Sequence, residues 1–318
     1  MEPIHVILII VGSISFLVLA ALITAFICFR IVFYSGKRRA TPIGEYDLPE
    51  GKPYEEFQGD MIRWQDSIRE MKSEAVEIIS RDGLTLRGRY YEHEKGAPIE
   101  ILFHGYRGGA VRDLCGGVER CFKLKRNALI VSQRAHGDSE GHAITFGYKE
   151  RFDCLDWIDH VISRFGKDQK IIITGLSMGA STVLMASGEA LPDNVVSVIA
   201  DCGYSSTKSI IKKKMHEMHL PVWFFYPFVR LGGILFAGFD PNKCEPIEAV
   251  KRSKTPILFV HGDADDFVPC DMSRQMFEVC PVQKAFFIAK GAGHGLAFPK
   301  DQEGYYKAVL DFESVLNG

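Results

Sequence analysis

Hydrophobic and polar positions divide the chain into three stretches. Val6 to Phe29 carries no charged residue, and its only polar side chains are Ser13, Ser15, Thr24 and Cys28. About 20 apolar residues cross a bilayer as a helix, so residues 1–34 are expected to hold a transmembrane anchor. Residues 35–53 contain Gly36, Pro42, Gly44, Pro49, Gly51 and Pro53 and read as a linker. Phe57, Met61, Trp64, Ile68 and Met71 then recur at helical spacing. They predict an amphipathic helix that closes a 35–74 unit, with core packing or a membrane surface as its partner.

The pattern changes over residues 75–318. Val76–Ile79 and Leu84–Tyr90 flank Asp82-Gly83 and predict an antiparallel hairpin. Short apolar runs follow at Ile101–Phe103, Ala128–Val131, Gln169–Thr174, Val195–Asp201, Pro256–Val260 and Ala285–Ala289. They suit strands buried on both faces, and helical segments alternate with them. The expected architecture is α/β, a mostly parallel eight-stranded sheet with helices on both faces. The alternation breaks between Asp201 and Pro256. A helical cap is expected there, over about residues 203–250, and it holds Trp223, Phe224, Phe225 and Phe228. Three readings stay open for these rings. They pack cap helices on the core, they bind acyl chains as a wall or a lid touching the bilayer, or they belong to a second span. Arg230, two prolines and two glycines speak against the span.

Composition narrows the function classes. A chain of 318 residues, 47% hydrophobic, can build a sizeable core beside an anchor. A net charge of −2 speaks against a nucleic-acid partner, and Lys212-Lys213-Lys214 reads as a solvated helix face. None of the eight cysteines forms a C-x-x-C pair, which fits buried thiols in a reducing compartment. The start Met1-Glu2-Pro3 lacks the basic residues of a signal peptide, so the apolar stretch is read as an uncleaved anchor. Arg30, Lys37, Arg38 and Arg39 all follow it, which predicts a single-pass protein with a cytoplasmic C-terminal side.

Candidate chemistry lies at Gly175-Leu176-Ser177-Met178-Gly179, between a β-branched run and the helical Ala180–Ala186. Strand, sharp turn at serine and helix describe a nucleophile elbow, whose close backbone packing calls for the flanking glycines. Pro256–Val260 leads into a loop with Asp263, Asp265 and Asp266, and Ala285–Ala289 leads into Gly291-Ala292-Gly293-His294-Gly295. The order is Ser, Asp, His. Ile101–Phe103 leads into His104-Gly105-Tyr106-Arg107-Gly108-Gly109, a glycine-rich loop suited to one oxyanion donor.

On these motifs residues 75 to 318 resemble the α/β-hydrolase superfamily. The similar branch holds small esterases, monoacylglycerol-lipase-like enzymes and aminopeptidase-like members. Its H-G-x-x-D-x-x-V-P motif fits His261 to Pro269 and implies Asp265 as the acid. Its R-G-x-G-x-S motif fits Arg134 to Ser139 except for Ala135, which suggests a slightly different turn. The resemblance implies Ser177 as nucleophile, His294 as base and then acid, and the amides of Tyr106 and Met178 as oxyanion donors. Asp201, Asp263 and Asp266 are the competing acids. His104 and His136 are expected to hold glycine turns, and Arg107 either meets an anionic substrate group or is solvated.

The function expected is a membrane-anchored serine hydrolase acting on acyl esters or thioesters, a lipid among them. Trp223, Phe224, Phe225 and Phe228 are its candidate substrate-binding residues. The alternatives are an aminopeptidase-like serine peptidase, or a binding protein that keeps the fold without turnover. With no large domain expected before the hydrolase region, an oligopeptidase is disfavoured. No metal or organic cofactor is implied.

Overall fold

Eight strands form one sheet in the order β1-β2-β4-β3-β5-β6-β7-β8. The computed structural model describes residues 2–36 and 45–317. Lys37, Arg38 and Arg39 of the basic flank, and Pro42 and Gly44 of the expected linker, lie outside the described residues. β1 (Glu74–Ile79) and β2 (Thr85–Tyr91) form the predicted hairpin, and β2 pairs antiparallel with β4 (Asn127–Ser132). β3 (Ile99–Phe103), β4, β5 (Ile171–Leu176), β6 (Val195–Asp201), β7 (Ile257–Gly262) and β8 (Lys284–Ala289) are parallel. Every residue of β3 and β7 is buried, as befits strands covered on both faces. This is the α/β-hydrolase fold.

Two cores lie on the two faces. One is built under α5 (Glu150–Phe165), α6 (Met178–Ser187), α9 (Pro246–Val250) and α10 (Cys270–Val279). The other is built under α3 (Gln58–Glu70), α4 (Ala110–Lys123), α11 (Ala297–Lys300) and α12 (Gln302–Asn317). Phe57, Met61, Trp64 and Ile68 all enter the second core, so the amphipathic face of α3 packs inward. Short α2 (Lys52–Glu55) precedes it.

The break in alternation holds α7 (Thr207–Glu217), α8 (Val222–Gly232), a π-helical turn Gly233–Ala237, a 3-10 turn Pro241–Lys243 and α9. N-terminal α1 runs from Pro3 to Val32. It is long and apolar enough to cross a membrane, and Ala25, Cys28 and Phe29 are its only buried residues. Its last third packs on α8 and the π-helical turn. A Cβ on Gly232 would stand 2.5 Å from the Ala25 carbonyl oxygen, so only glycine permits this approach. Phe236 meets Phe26 edge-on at 5.2 Å, and buried Phe33 meets Phe239 at 5.3 Å.

Candidate active site

The site is built where β5 turns into α6. Ser177 sits at φ +56°, ψ −114°, a strained conformation for a side-chain-bearing residue. Close packing imposes it. A Cβ on Gly175 would lie 2.1 Å from the Gly179 carbonyl carbon, and one on Gly179 would lie 2.0 Å from the Phe103 oxygen. The elbow therefore abuts the end of β3, and with it the glycine-rich loop.

Two other loops converge on Ser177. His294, between β8 and α11, places Nε2 2.9 Å from Ser177 Oγ and Nδ1 2.7 Å from Asp265 Oδ2. Asp265, after β7, accepts the amides of Phe267 (2.9 Å) and Val268 (2.8 Å) on Oδ1. Burial alone would raise its pKa. Hydrogen bonds from His261 and His294, the charge of His294 and the Val268 amide outweigh that and hold it well below the usual carboxylate range. His261 is fully buried behind it, with Nε2 2.9 Å from the Val268 carbonyl and 3.2 Å from Asp265 Oδ2. Both partners are acceptors, so this nitrogen carries the proton, and Nδ1 faces Ser273 Oγ at 2.7 Å.

Three amides of the glycine-rich loop are taken up by hydrogen bonds. Gly105 N–H donates to Asp113 Oδ2 (3.0 Å), Arg107 N–H to His136 Nε2 (3.1 Å) and Gly108 N–H to the Gly105 carbonyl (3.1 Å). Among the described residues no hydrogen bond takes up the amide of Tyr106, or that of Met178 at the start of α6. His104 is buried, bonded to the Gly105 carbonyl and the Gln133 amide, and burial lowers its pKa. Both histidines thus hold glycine turns. Arg107 donates to the carbonyls of Ile31 (2.6 Å) and Tyr34 (3.3 Å) at the end of α1, not to a substrate space. Ala135 takes φ +62°, the region that favours glycine, so its loop keeps a glycine-type turn at some strain.

Of the competing acids, Asp263 accepts the Gly291 amide (2.5 Å) and Asp201 accepts the Ser177 amide on its backbone carbonyl (2.8 Å). Asp266 lines the site, and its backbone carbonyl takes the ammonium of Lys213. None of the three has a hydrogen bond to the His294 ring among the described residues. Cys202, Asp265 and His294 gather ligand atoms within 4.8 Å of one another. Burial pushes the Cys202 thiol well up, so it stays protonated, and the carboxylate and imidazole already bond each other.

A cavity of about 500 Å3 opens at Ser177 and His294. Its apolar wall includes Met61, Trp64, Leu102, Leu114 and Phe298. Pro49, Pro53 and Tyr54 also line it, and the Tyr54 hydroxyl donates to the His294 carbonyl at 3.1 Å. The last residues of the segment expected as a linker therefore line the site. Sequence reasoning missed this, because proline-rich spacing signals a loop and not what the loop lies upon. Arg120, Asp201 and Tyr305 line the cavity too, all buried. Among the described residues Trp64 Nε1, Arg120 Nε and Asp201 Oδ1 have no hydrogen-bond partner.

The structure does not bring Trp223, Phe224, Phe225 or Phe228 into this cavity. The expectation of an acyl-binding wall there is corrected by the placement of α8. α8 packs on α1, while Phe225 and Phe228 pack, half-buried, against a core cluster that includes Met178 and Tyr204.

Comparisons with known proteins agree with the fold. The Bacillus subtilis protein YqkD is 25% identical over 307 residues, 95% of this chain and 97% of that protein. The Saccharomyces cerevisiae membrane protein YNL320W is 25% identical over 189 residues, 58% of this chain and 60% of that protein. The Pyrococcus furiosus esterase Pf2001 shares the fold at a TM-score of 0.65 and 21% identity, over 88% of this chain and 97% of its own. The prolyl oligopeptidase family profile matches residues 144–315, more than half of the 318 residues, and the chain belongs to that family.

Proposed function

We propose that the protein is a membrane-anchored serine hydrolase that cleaves acyl esters or thioesters through an acyl-enzyme on Ser177. The observation that carries this is the unbroken hydrogen-bond path from Ser177 Oγ through His294 to Asp265. Ser177 attacks the acyl carbon while His294 Nε2 takes its proton. His294 returns that proton to the leaving group, and water then resolves the ester by the same relay. Asp265 fixes the Nδ1–H tautomer and stabilises the imidazolium without taking the proton. The unbonded amides of Tyr106 and Met178 receive the oxyanion. The apolar wall of the cavity suits an acyl chain.

α1 serves as the anchor, and the basic residues after its apolar stretch, Arg30, Lys37, Arg38 and Arg39, direct the catalytic side to the cytoplasm. An engineered C-terminal cysteine should resist an impermeant thiol reagent in intact cells. Labelling there, with the native cysteines silent, reverses the orientation.

The test of the chemistry is labelling by a fluorophosphonate probe, with Ser177→Ala beside the parent. Labelling confined to the parent supports the assignment. A folded parent that stays unlabelled, with and without detergent, defeats it. Membership of the prolyl oligopeptidase family favours a second reading, hydrolysis of small peptides. Rates on p-nitrophenyl acyl esters against aminoacyl-nitroanilides decide between them.

A further inference from the structure

An exposed apolar cluster stands on and around α8. Trp223 is 81% exposed, Met218 64%, Leu235 50% and Phe224 45%. Ile234 and Leu220 extend it. A water-facing surface rarely carries so many large apolar side chains together, and such a patch marks an interaction site.

Its position selects the partner. α8 and the π-helical turn pack against Ala25, Phe26 and Phe29, so the cluster continues the exposed surface of α1. About 20 helical residues cross the hydrocarbon core. Counted back from Arg30, the first charge after the apolar stretch, Ala25 to Phe29 falls in the final turns of the span. Whatever packs on those turns is held at the depth of one leaflet. From Val222 to Val229 α8 carries no charged side chain. Cations border it: Lys212 sits over the Tyr226 ring at 4.8 Å, and Arg230 pairs with Asp240 at 2.7 Å. An apolar face bordered by basic residues is the chemistry of a helix lying in a membrane interface.

We propose that α8 and the π-helical turn form a second membrane-contacting element. It lies in the plane of the leaflet that holds the C-terminal end of α1, with Trp223, Phe224, Ile234 and Leu235 among the lipid chains. This rests on the reading of α1 as an anchor. It gives the aromatic cluster a lipid partner instead of a substrate. It also sets the catalytic centre close to the bilayer. Lys213 of α7 holds the Asp266 carbonyl, and Lys214 stands 3.8 Å over the Phe267 ring, which packs on His294 at 4.8 Å.

The chain's tryptophans make this measurable. Trp64 is 2% exposed and Trp157 fully buried, so Trp223 alone reports on the surroundings. The full chain is reconstituted into phosphatidylcholine vesicles, with or without bromine on the acyl chains, and washed with carbonate. Brominated lipid is expected to quench about one third of the emission, the share of one tryptophan in three, and aqueous iodide to quench none of it. Trp223→Phe keeps an aromatic ring and should abolish the bromine effect. A chain that survives the wash while iodide quenches Trp223 overturns the inference and leaves the anchor intact. Protection from both quenchers shows a protein partner on α8 and overturns it too. Release by carbonate overturns the anchor reading and this inference together.

Discussion

The Tyr106 hydroxyl donates a 2.7 Å hydrogen bond to the carbonyl of Val32, the last residue of α1. Arg107 binds two more carbonyls of the same helix end, at Ile31 and Tyr34. The final carbonyls of a helix lack partners within it, so these side chains complete the end of α1. The backbone amide of Tyr106 meanwhile stays unbonded beside the serine elbow. One residue thus joins α1 to the proposed oxyanion site.

Tyr106→Phe tests that link, because it keeps the ring stacked on Phe146 and removes one hydrogen bond. A bond of this kind is worth about 1 kcal/mol, roughly fivefold in rate if all of it positions the amide. Fluorophosphonate acylation should slow by up to that factor, with little change in ester KM. An unchanged rate would make the contact purely structural.

Gly179→Ala should fail for a steric reason. Its Cβ would meet the Phe103 carbonyl oxygen at 2.0 Å, backbone against backbone, with no flexible side chain to yield. A cost of about 3 kcal/mol is expected, roughly 10 °C in Tm. Thermal melts of this variant beside Ser177→Ala check it, since the serine variant should melt near the parent.

The elements that could be read from the sequence are those whose signal is local. β-branched runs between helical stretches marked the sheet, and Gly175, Ser177 and Gly179 marked the turn because few other residues fit it. What could not be read depends on distant partners. Tyr54 reaches His294 across 240 positions, and nothing near Pro49 or Pro53 announces a cavity beneath them. The aromatics of α8 left open a packed cap, an acyl-binding wall or lid, and a second span. The approach of Gly232 to Ala25, which sets α8 against α1, joins segments far apart in the chain and has no local signal.

Glu100 is fully buried and binds two buried guanidinium groups, Arg120 and Arg126, while Thr174 donates to it at 2.7 Å. Burial would raise its pKa, but the two arginines and these hydrogen bonds hold it at about 2, below its ordinary 4.5. Removing one partner of a buried ion pair costs about 3–5 kcal/mol, because the charge left behind is uncompensated. Glu100→Gln should lose that much in urea unfolding at pH 7. A depressed carboxylate stabilises the fold above its unfolded pKa and stops doing so as pH falls through the folded one. The gap between parent and variant should therefore close as pH falls from about 4.5 toward 2. A gap independent of pH would mean that lost packing, not charge, sets the cost.

Asp201 has the opposite sign. Burial raises its pKa from 3.8 to about 6, against the lowering pull of His261, Arg120 and His294, and among the described residues Oδ1 has no partner. A raised carboxylate favours the fold below its unfolded pKa, and that advantage is lost as pH rises through the folded value. The parent thus carries a cost at neutral pH that Asp201→Asn, which does not ionise, escapes. Between pH 4.5 and 7.5 the variant should gain about 2 kcal/mol on the parent in urea unfolding. Its difference from the parent is the quantity to follow, because other groups titrate equally in both chains. A flat difference would mean that Asp201 is solvated through the cavity it lines and ionises as freely as in the unfolded chain. The three buried polar atoms at the cavity would then be met by water, and its floor would be wet when substrate arrives.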